Sequence, residues 1–205
     1  MKTTQNNVLL DKYREIMIDI KSRIAFISAV LLHEVEIACT NIEVETCGLQ
    51  IRKIIESIML SSLLLNENEL IQQYSNINNW WNAKRIFNDI KKINPYFFPK
   101  ANIVTARPGL HLTHQNFEQL YDECCNLLHA NNPLASSMDY TEYREKLHLW
   151  THGIINLLND HIAILSNDKY LVGLSAKLYF NENKTPEIVL YESEISKSEL
   201  RRWSN

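Results

Sequence analysis

Glycine and proline are scarce in this chain, with four and five respectively among 205 residues. Both punctuate loops, so their scarcity argues against a chain of many short strands and tight turns and predicts few, long elements. Met1 to Cys47 contains neither. Charge of one sign is lacking too. A formal net charge of −3 gives bulk electrostatics no hold on a nucleic acid or a membrane surface. No apolar run approaches the roughly 18 residues of a membrane span. The richest stretch, Ile54 to Leu65, is interrupted by Glu56, Ser57, Ser61 and Ser62. The cysteines are Cys39, Cys47, Cys124 and Cys125, with no CxxC pair, and adjacent cysteines do not easily bridge each other. No charged start followed by an apolar core directs export. Together these features predict a reducing, cytoplasmic setting. There is no P-loop, GxGxxG, GxSxG, HExxH or EF-hand loop, which argues against a nucleotide-hydrolysing, dinucleotide-binding or serine-hydrolase fold. No cofactor is expected.

What is present is helical periodicity. Tyr13, Met17, Ile20, Ile24, Ile27 and Leu31 alternate at four-three spacing, and Val35, Ala38 and Ile42 continue the stripe. The pattern predicts a first helix from about Val8 into the low forties. A second, from about Glu43 to Leu65, is apolar almost all round from Ile51 onward, as a central helix is. Asn66 should end it. Trp80, Ala83, Phe87, Ile90 and Ile93 form the inner face of another helix, capped by Asn78-Asn79 and stopped at Asn94-Pro95. Thr113 is placed to cap a helix with the stripe Phe117, Leu120, Tyr121, Cys124, Leu127 and Leu128. A last helix should start near Asp139 and carry Tyr143, Leu147, Trp150, Ile154, Leu157, His161 and Ile164 on its inner face. Tyr170 to Phe180 and Glu187 to Tyr191 are rich in strand formers and flank a polar loop, so they read as a hairpin. The expected fold is all-α: an up-and-down helical bundle of about five or six helices over residues 1–166, with a small C-terminal β-hairpin and tail, 167–205, packed on it.

Four groups of residues carry chemistry. Arg52 and Glu56 lie four apart on the central helix, hence on one face. They read either as a structural ion pair or as a desolvated anion site. His129, Asn131 and Asn132 precede Pro133 at a helix end. They serve as a cap or present an imidazole and two amides to a cleft. These five residues form the candidate polar site, on the expectation that the turn at 129–132 supplies acceptors for Arg52. His148 and His152 have the spacing of a metal-binding pair, but no third ligand follows on that face, so no metal is expected. The segment 80–107 interleaves Lys84, Arg85, Lys91, Lys92, Lys100 and Arg107 with Trp80, Trp81, Phe87, Tyr96, Phe97 and Phe98. Basic charge beside stacking faces suits single-stranded RNA, while lysines on an outer helix face are also ordinary.

The order of parts resembles the HEPN-like group of bacterial helical bundles. The resemblance rests on Leu49-Gln50-Ile51-Arg52-Lys53-Ile54-Ile55-Glu56 on a central helix and on Cys125-Asn126-Leu127-Leu128-His129 at the end of a later one. Ribonuclease members of that group share an Arg, four to six residues, then a His on an active-site helix. Here only Arg107 to His114 has that spacing, with Pro108 and Gly109 inside it. The resemblance therefore implies a non-catalytic partner protein of the kind found in toxin–antitoxin or phage-defence systems. The alternative it implies is a metal-independent ribonuclease. The expected partner is a second copy or another protein, docked through the long first or last helix, whose four-three stripes suit helix seams.

Overall fold

The computed structural model describes residues 2–73, 83–102, 112–129, 134, 138–165 and 171–193. Six helices and four strands are found among them: α1 (Lys2–Leu31), α2 (Thr40–Leu65), α3 (Glu67–Gln73), α4 (Ala83–Ile93), β1 (Lys100–Ala101), α5 (His114–Leu127), α6 (Tyr140–Leu158), β2 (Asp160–Leu165), β3 (Leu171–Lys177) and β4 (Glu187–Ser193). The protein is mainly helical, with a small antiparallel sheet in the order β1-β2-β3-β4.

α2 is the central element, in contact with α1, α3, α4, α5 and α6. Ile51, Ile54, Ile55 and Met59 have no solvent exposure, as an all-round apolar helix requires. Gly48 sets the closest approach. A Cβ there would stand 2.4 Å from Leu127 Cδ2, so the bare backbone lets α5 lie against α2. The predicted cap at Thr113 is found, and Asp139, near which the last helix is expected to start, is its N-cap. Thr113 Oγ1 accepts from the Asn116 amide, and Asp139 from the amides of Thr141 and Glu142. The Asn78-Asn79 cap lies outside the described residues.

Three expectations are corrected. First, α1 ends at Leu31 rather than in the low forties. His33 takes a left-handed backbone, φ 59°. The Glu34 amide bonds back to the Ala29 carbonyl at 2.8 Å and the His33 amide to the Val30 carbonyl at 3.1 Å. This is the Schellman closure that usually employs glycine. Second, α6 ends at Leu158, and His161 and Ile164 belong to strand β2. Asn159-Asp160 breaks the helix, and the β-branched Ile162 and Ile164 favour a pleated strand. Third, the fold is not all-α with an appended hairpin. The predicted hairpin exists as β3–β4, but β2 and β1 extend it to four strands, and β1 comes from the middle of the chain.

The sheet presents one face to the helices. His161, Ala163, Leu174, Ala176, Ile188 and Leu190 lie in register across it and pack into or against the core. On the opposite face the Tyr191 ring covers Gly173, its cross-strand partner; a Cβ on Gly173 would fall 2.1 Å from Tyr191 Cζ. The seam between helices and sheet is polar. Tyr13 of α1 meets His161 Nε2 at 2.7 Å, and His161 Nδ1 meets the Leu158 carbonyl at 2.9 Å. A carbonyl only accepts, so Nδ1 carries the proton and Nε2 accepts from the Tyr13 hydroxyl. Burial pushes the His161 pKa down to about 4, keeping the ring neutral. Nearby, Asn94 Nδ2 donates to Asn66 Oδ1 and to the Ile164 carbonyl, both at 2.9 Å, while Asn66 donates to the Ser62 carbonyl at 2.7 Å. Both asparagines stop helices, as the sequence suggests. Both are also fully buried and join two helix ends to the sheet.

Candidate functional site

Among the described residues, a group of chemically capable side chains lies where α5 packs against α2. Arg52 and Glu56, one turn apart on α2, form an ion pair of 3.1 Å between Nε and Oε1. Glu56 Oε2 also takes Lys53 Nζ at 3.1 Å. The Arg52 guanidinium sits 5.6 Å from the centre of the Tyr121 ring of α5, within range of a cation–π contact. Cys125 follows Tyr121 by one turn and shares its environment. Arg52 keeps 35% of its side-chain exposure and Glu56 19%, so the pair is half-buried rather than sealed in the core.

The electrostatics follow from this packing. Burial pulls the Arg52 pKa down, but Cys125, Tyr121 and Glu56 outweigh it, and the net direction is upward. Burial raises the Tyr121 hydroxyl, Cys125 adds to this, and the guanidinium pulls partly the other way. A phenol so held stays protonated and is a poor base. Glu56 already serves two cations. Burial also pushes the Cys47 thiol up to about 11 and the Cys124 thiol up strongly, which leaves both poor nucleophiles. The seam holds its charges in place through these contacts.

His129 lies just beyond the end of α5 and is exposed. It follows Cys125 by one turn, about 6 Å along a helix axis. Among the described residues no hydrogen bond or ion pair joins it to Arg52 or Glu56. Asn131, Asn132 and Arg107 lie outside the described residues. His148 and His152 are exposed on α6. Among the described residues no three His, Cys, Asp or Glu side chains are grouped to hold a metal ion, and no helix is long and apolar enough to cross a membrane.

The basic residues of segment 80–107 are spread over several partners. Lys84 binds both oxygens of Asp122, at 2.7 and 2.8 Å. Lys92 and Arg85 flank Asp89 at 2.9 and 3.8 Å. Lys91 is exposed, and Lys100 opens β1 opposite Ile162. Trp80 and Trp81 lie outside the described residues and Tyr96 is half-buried, while Phe87, Phe97 and Phe98 turn their rings to the core. Phe87 is edge-on to Phe97 at 4.7 Å and stacked on Phe117 at 6.2 Å, and Phe98 packs on Phe117 at 5.3 Å. Phe87 and Phe97 offer no ring to a base, being 0% and 3% exposed.

Sequence reasoning missed a second polar junction. Arg144 of α6 donates from Nε to Glu43 Oε1 at 2.8 Å and from Nη2 to His33 Nε2 at 2.9 Å. Tyr140 donates to Glu45 at 2.8 Å. These contacts tie the α1–α2 connection to the start of α6. The residues are about a hundred positions apart, so no local spacing signals them. Tyr121 was visible in the sequence but fell on a stripe read as core; its four-residue offset from Cys125 was the available clue.

No protein-family model matches the chain, and comparison with curated proteins and with solved structures finds no significant match to either.

Proposed function

We propose that this protein is a non-enzymatic interaction module that self-associates, working in a bacterial cytoplasm as the HEPN-like partners of toxin–antitoxin or phage-defence systems do. One contrast carries the reading. The polar groups of the α2–α5 seam are spent on one another, while apolar side chains stay exposed on regular elements: Ile18 on α1, Ile42 and Leu49 on α2, Leu149 on α6 and Val189 on β4, each 40–60% exposed. Ile42 and Leu49 are seven residues apart, two turns along one flank of α2, beside the Arg52–Glu56 pair. Apolar groups on rigid elements are ready to be covered without ordering a loop, and an arginine stacked on a tyrosine is frequent among the residues that dominate protein interfaces.

Sedimentation velocity at micromolar concentration tests the reading, and a dimer or a stable complex with a host protein is the expected result. A strict monomer with no co-purifying partner would overturn it. Cleavage of RNA that Arg52→Ala abolishes, in a variant that remains folded, would replace it with the metal-independent ribonuclease reading.

A further inference from the structure

The two edges of the sheet differ. β1 has two residues and follows Pro99, so it offers a partner almost no backbone. β4 has seven residues, Glu187–Ser193, paired without interruption to β3 from Glu187 opposite Lys177 to Ser193 opposite Leu171. Its other side pairs with no strand among the described residues. Few of the usual protections of an edge are found in it: no proline, lysine or bulge interrupts Glu187 to Tyr191, and its charges, Glu187 and Glu192, stand near its two ends. Val189, at its middle, is 51% exposed.

We propose that β4 pairs antiparallel with β4 of a second copy of this chain, with Val189 on the two-fold axis, joining two four-stranded sheets into one of eight strands. This rests on the self-association reading above and says where the copies meet. Side-chain chemistry selects both occupant and register. Antiparallel partners share a face, so bundle-facing residues must meet bundle-facing residues. Centred on Val189, the pairing sets valine against valine and Ile188 against Leu190 of the other copy, twice. Ile188 and Leu190 both belong to the core side of the sheet. The same register sets Glu187 against Tyr191. Glu187 Oε2 accepts from the Tyr179 hydroxyl at 2.6 Å, and Oε1 has no hydrogen-bond partner among the described residues, so it can take the Tyr191 hydroxyl. Moving the axis to Leu190 sets Ile188 against Glu192. An axis at residue 187 or 192 sets glutamate against glutamate, which is destabilising. Axes at Ile188 and Tyr191 set Glu187 against Val189 and Leu190 against Glu192, so within β4 the register centred on Val189 is the one that opposes no glutamate to an aliphatic side chain or to another glutamate. α1, which packs on β4, brings the two bundles side by side across the axis.

Charge exchange at residue 189 tests the inference in the full-length protein. Val189→Lys and Val189→Glu each put like charges on the axis and remove a buried valine pair. Either should raise the dimer dissociation constant by about 100-fold. Mixed in equal amounts, the two variants should form a heterodimer, because lysine then faces glutamate. Far-ultraviolet circular dichroism, expected unchanged, shows that each variant folds, while the melting temperature should fall only by the stabilisation that dimerisation supplied. If both variants dimerise as the unsubstituted protein does, β4 is not the contact, although self-association stands. That result is also expected if the chain's own residues 194–205 cover the strand. Dissociation without rescue on mixing would overturn the register. A monomeric unsubstituted protein would overturn the inference and the self-association reading together.

Discussion

The two ends of α2 are held by different physics. From Val44 to Met59 its buried residues are almost all apolar, packed against α1, α4, α5 and α6. From Ser61 to Asn66 the buried set turns largely polar, and beside it the helices meet the sheet through Asn66 and Asn94, which reaches the Ile164 carbonyl, and through Tyr13 and His161. Apolar contact is non-directional, so the first region tolerates adjustment. Hydrogen bonds in a dry interior are directional and costly to leave unmade, so the second fixes one orientation of sheet on bundle. The core at one end supplies adhesion, and the junction at the other supplies uniqueness.

Substitutions can break this contrast. The largest effect is expected within the sheet. Gly173→Ala drives a methyl group into the Tyr191 ring, whose position is set by strand pairing, and should destabilise the protein by about 3 kcal/mol in urea unfolding. Adding Tyr191→Ala should return much of that loss; if it does not, the ring is not the obstacle. Acid should act on the junction with a similar magnitude. His161 has an ordinary pKa of 6.5 and one of about 4 in the fold. The unfolded chain therefore takes up the proton first as pH falls. The stabilisation is fully present above about pH 6.5, declines as pH drops toward 4, and has lost about 3 kcal/mol once the folded ring protonates. A stability–pH profile unchanged by His161→Gln would remove His161 as the cause.

Smaller effects sharpen the comparison. Tyr13→Phe keeps the ring but leaves His161 Nε2 buried without a donor, at a cost of about 1–3 kcal/mol. Ile55→Val, at the apolar end, should cost only about 0.5–1.5 kcal/mol. Equal values for the two would erase the distinction between the regions. Arg52→Ala should cost about 1 kcal/mol or less, because the pair it breaks is half-exposed. A loss of several kcal/mol, read from the same urea titrations, would show a guanidinium more deeply engaged than its exposure indicates.

Elements governed by local spacing were legible in the sequence, and those governed by distant contacts were not. The stripes of α1, α2, α5 and α6, the cap at Thr113, the start of α6 near Asp139 and the β3–β4 hairpin follow from near neighbours. The end of α1 was hidden because histidine, not glycine, occupies the left-handed position. The start of β2 was hidden because His161 falls inward both on a helix continuing from Leu157 and on a strand, so one residue satisfies both periods. The Arg52–Glu56 pair was legible as an i, i+4 pair. Its seat against Tyr121, and the Arg144–Glu43 link, depend on which helices become neighbours, and α2 alone touches five.

The Tyr13–His161 contact also imposes an order on synthesis. Its residues are 148 positions apart. At about 5–20 residues per second, a ribosome delivers the second partner roughly 7–30 s after the first. During that interval α1 and α2 can pair, but the side of α1 destined for the sheet stays bare. The nascent chain thus carries an apolar helix flank whose cover is made some 148 residues later. Chaperone engagement should concentrate on that flank and end when β2 to β4 have left the exit tunnel.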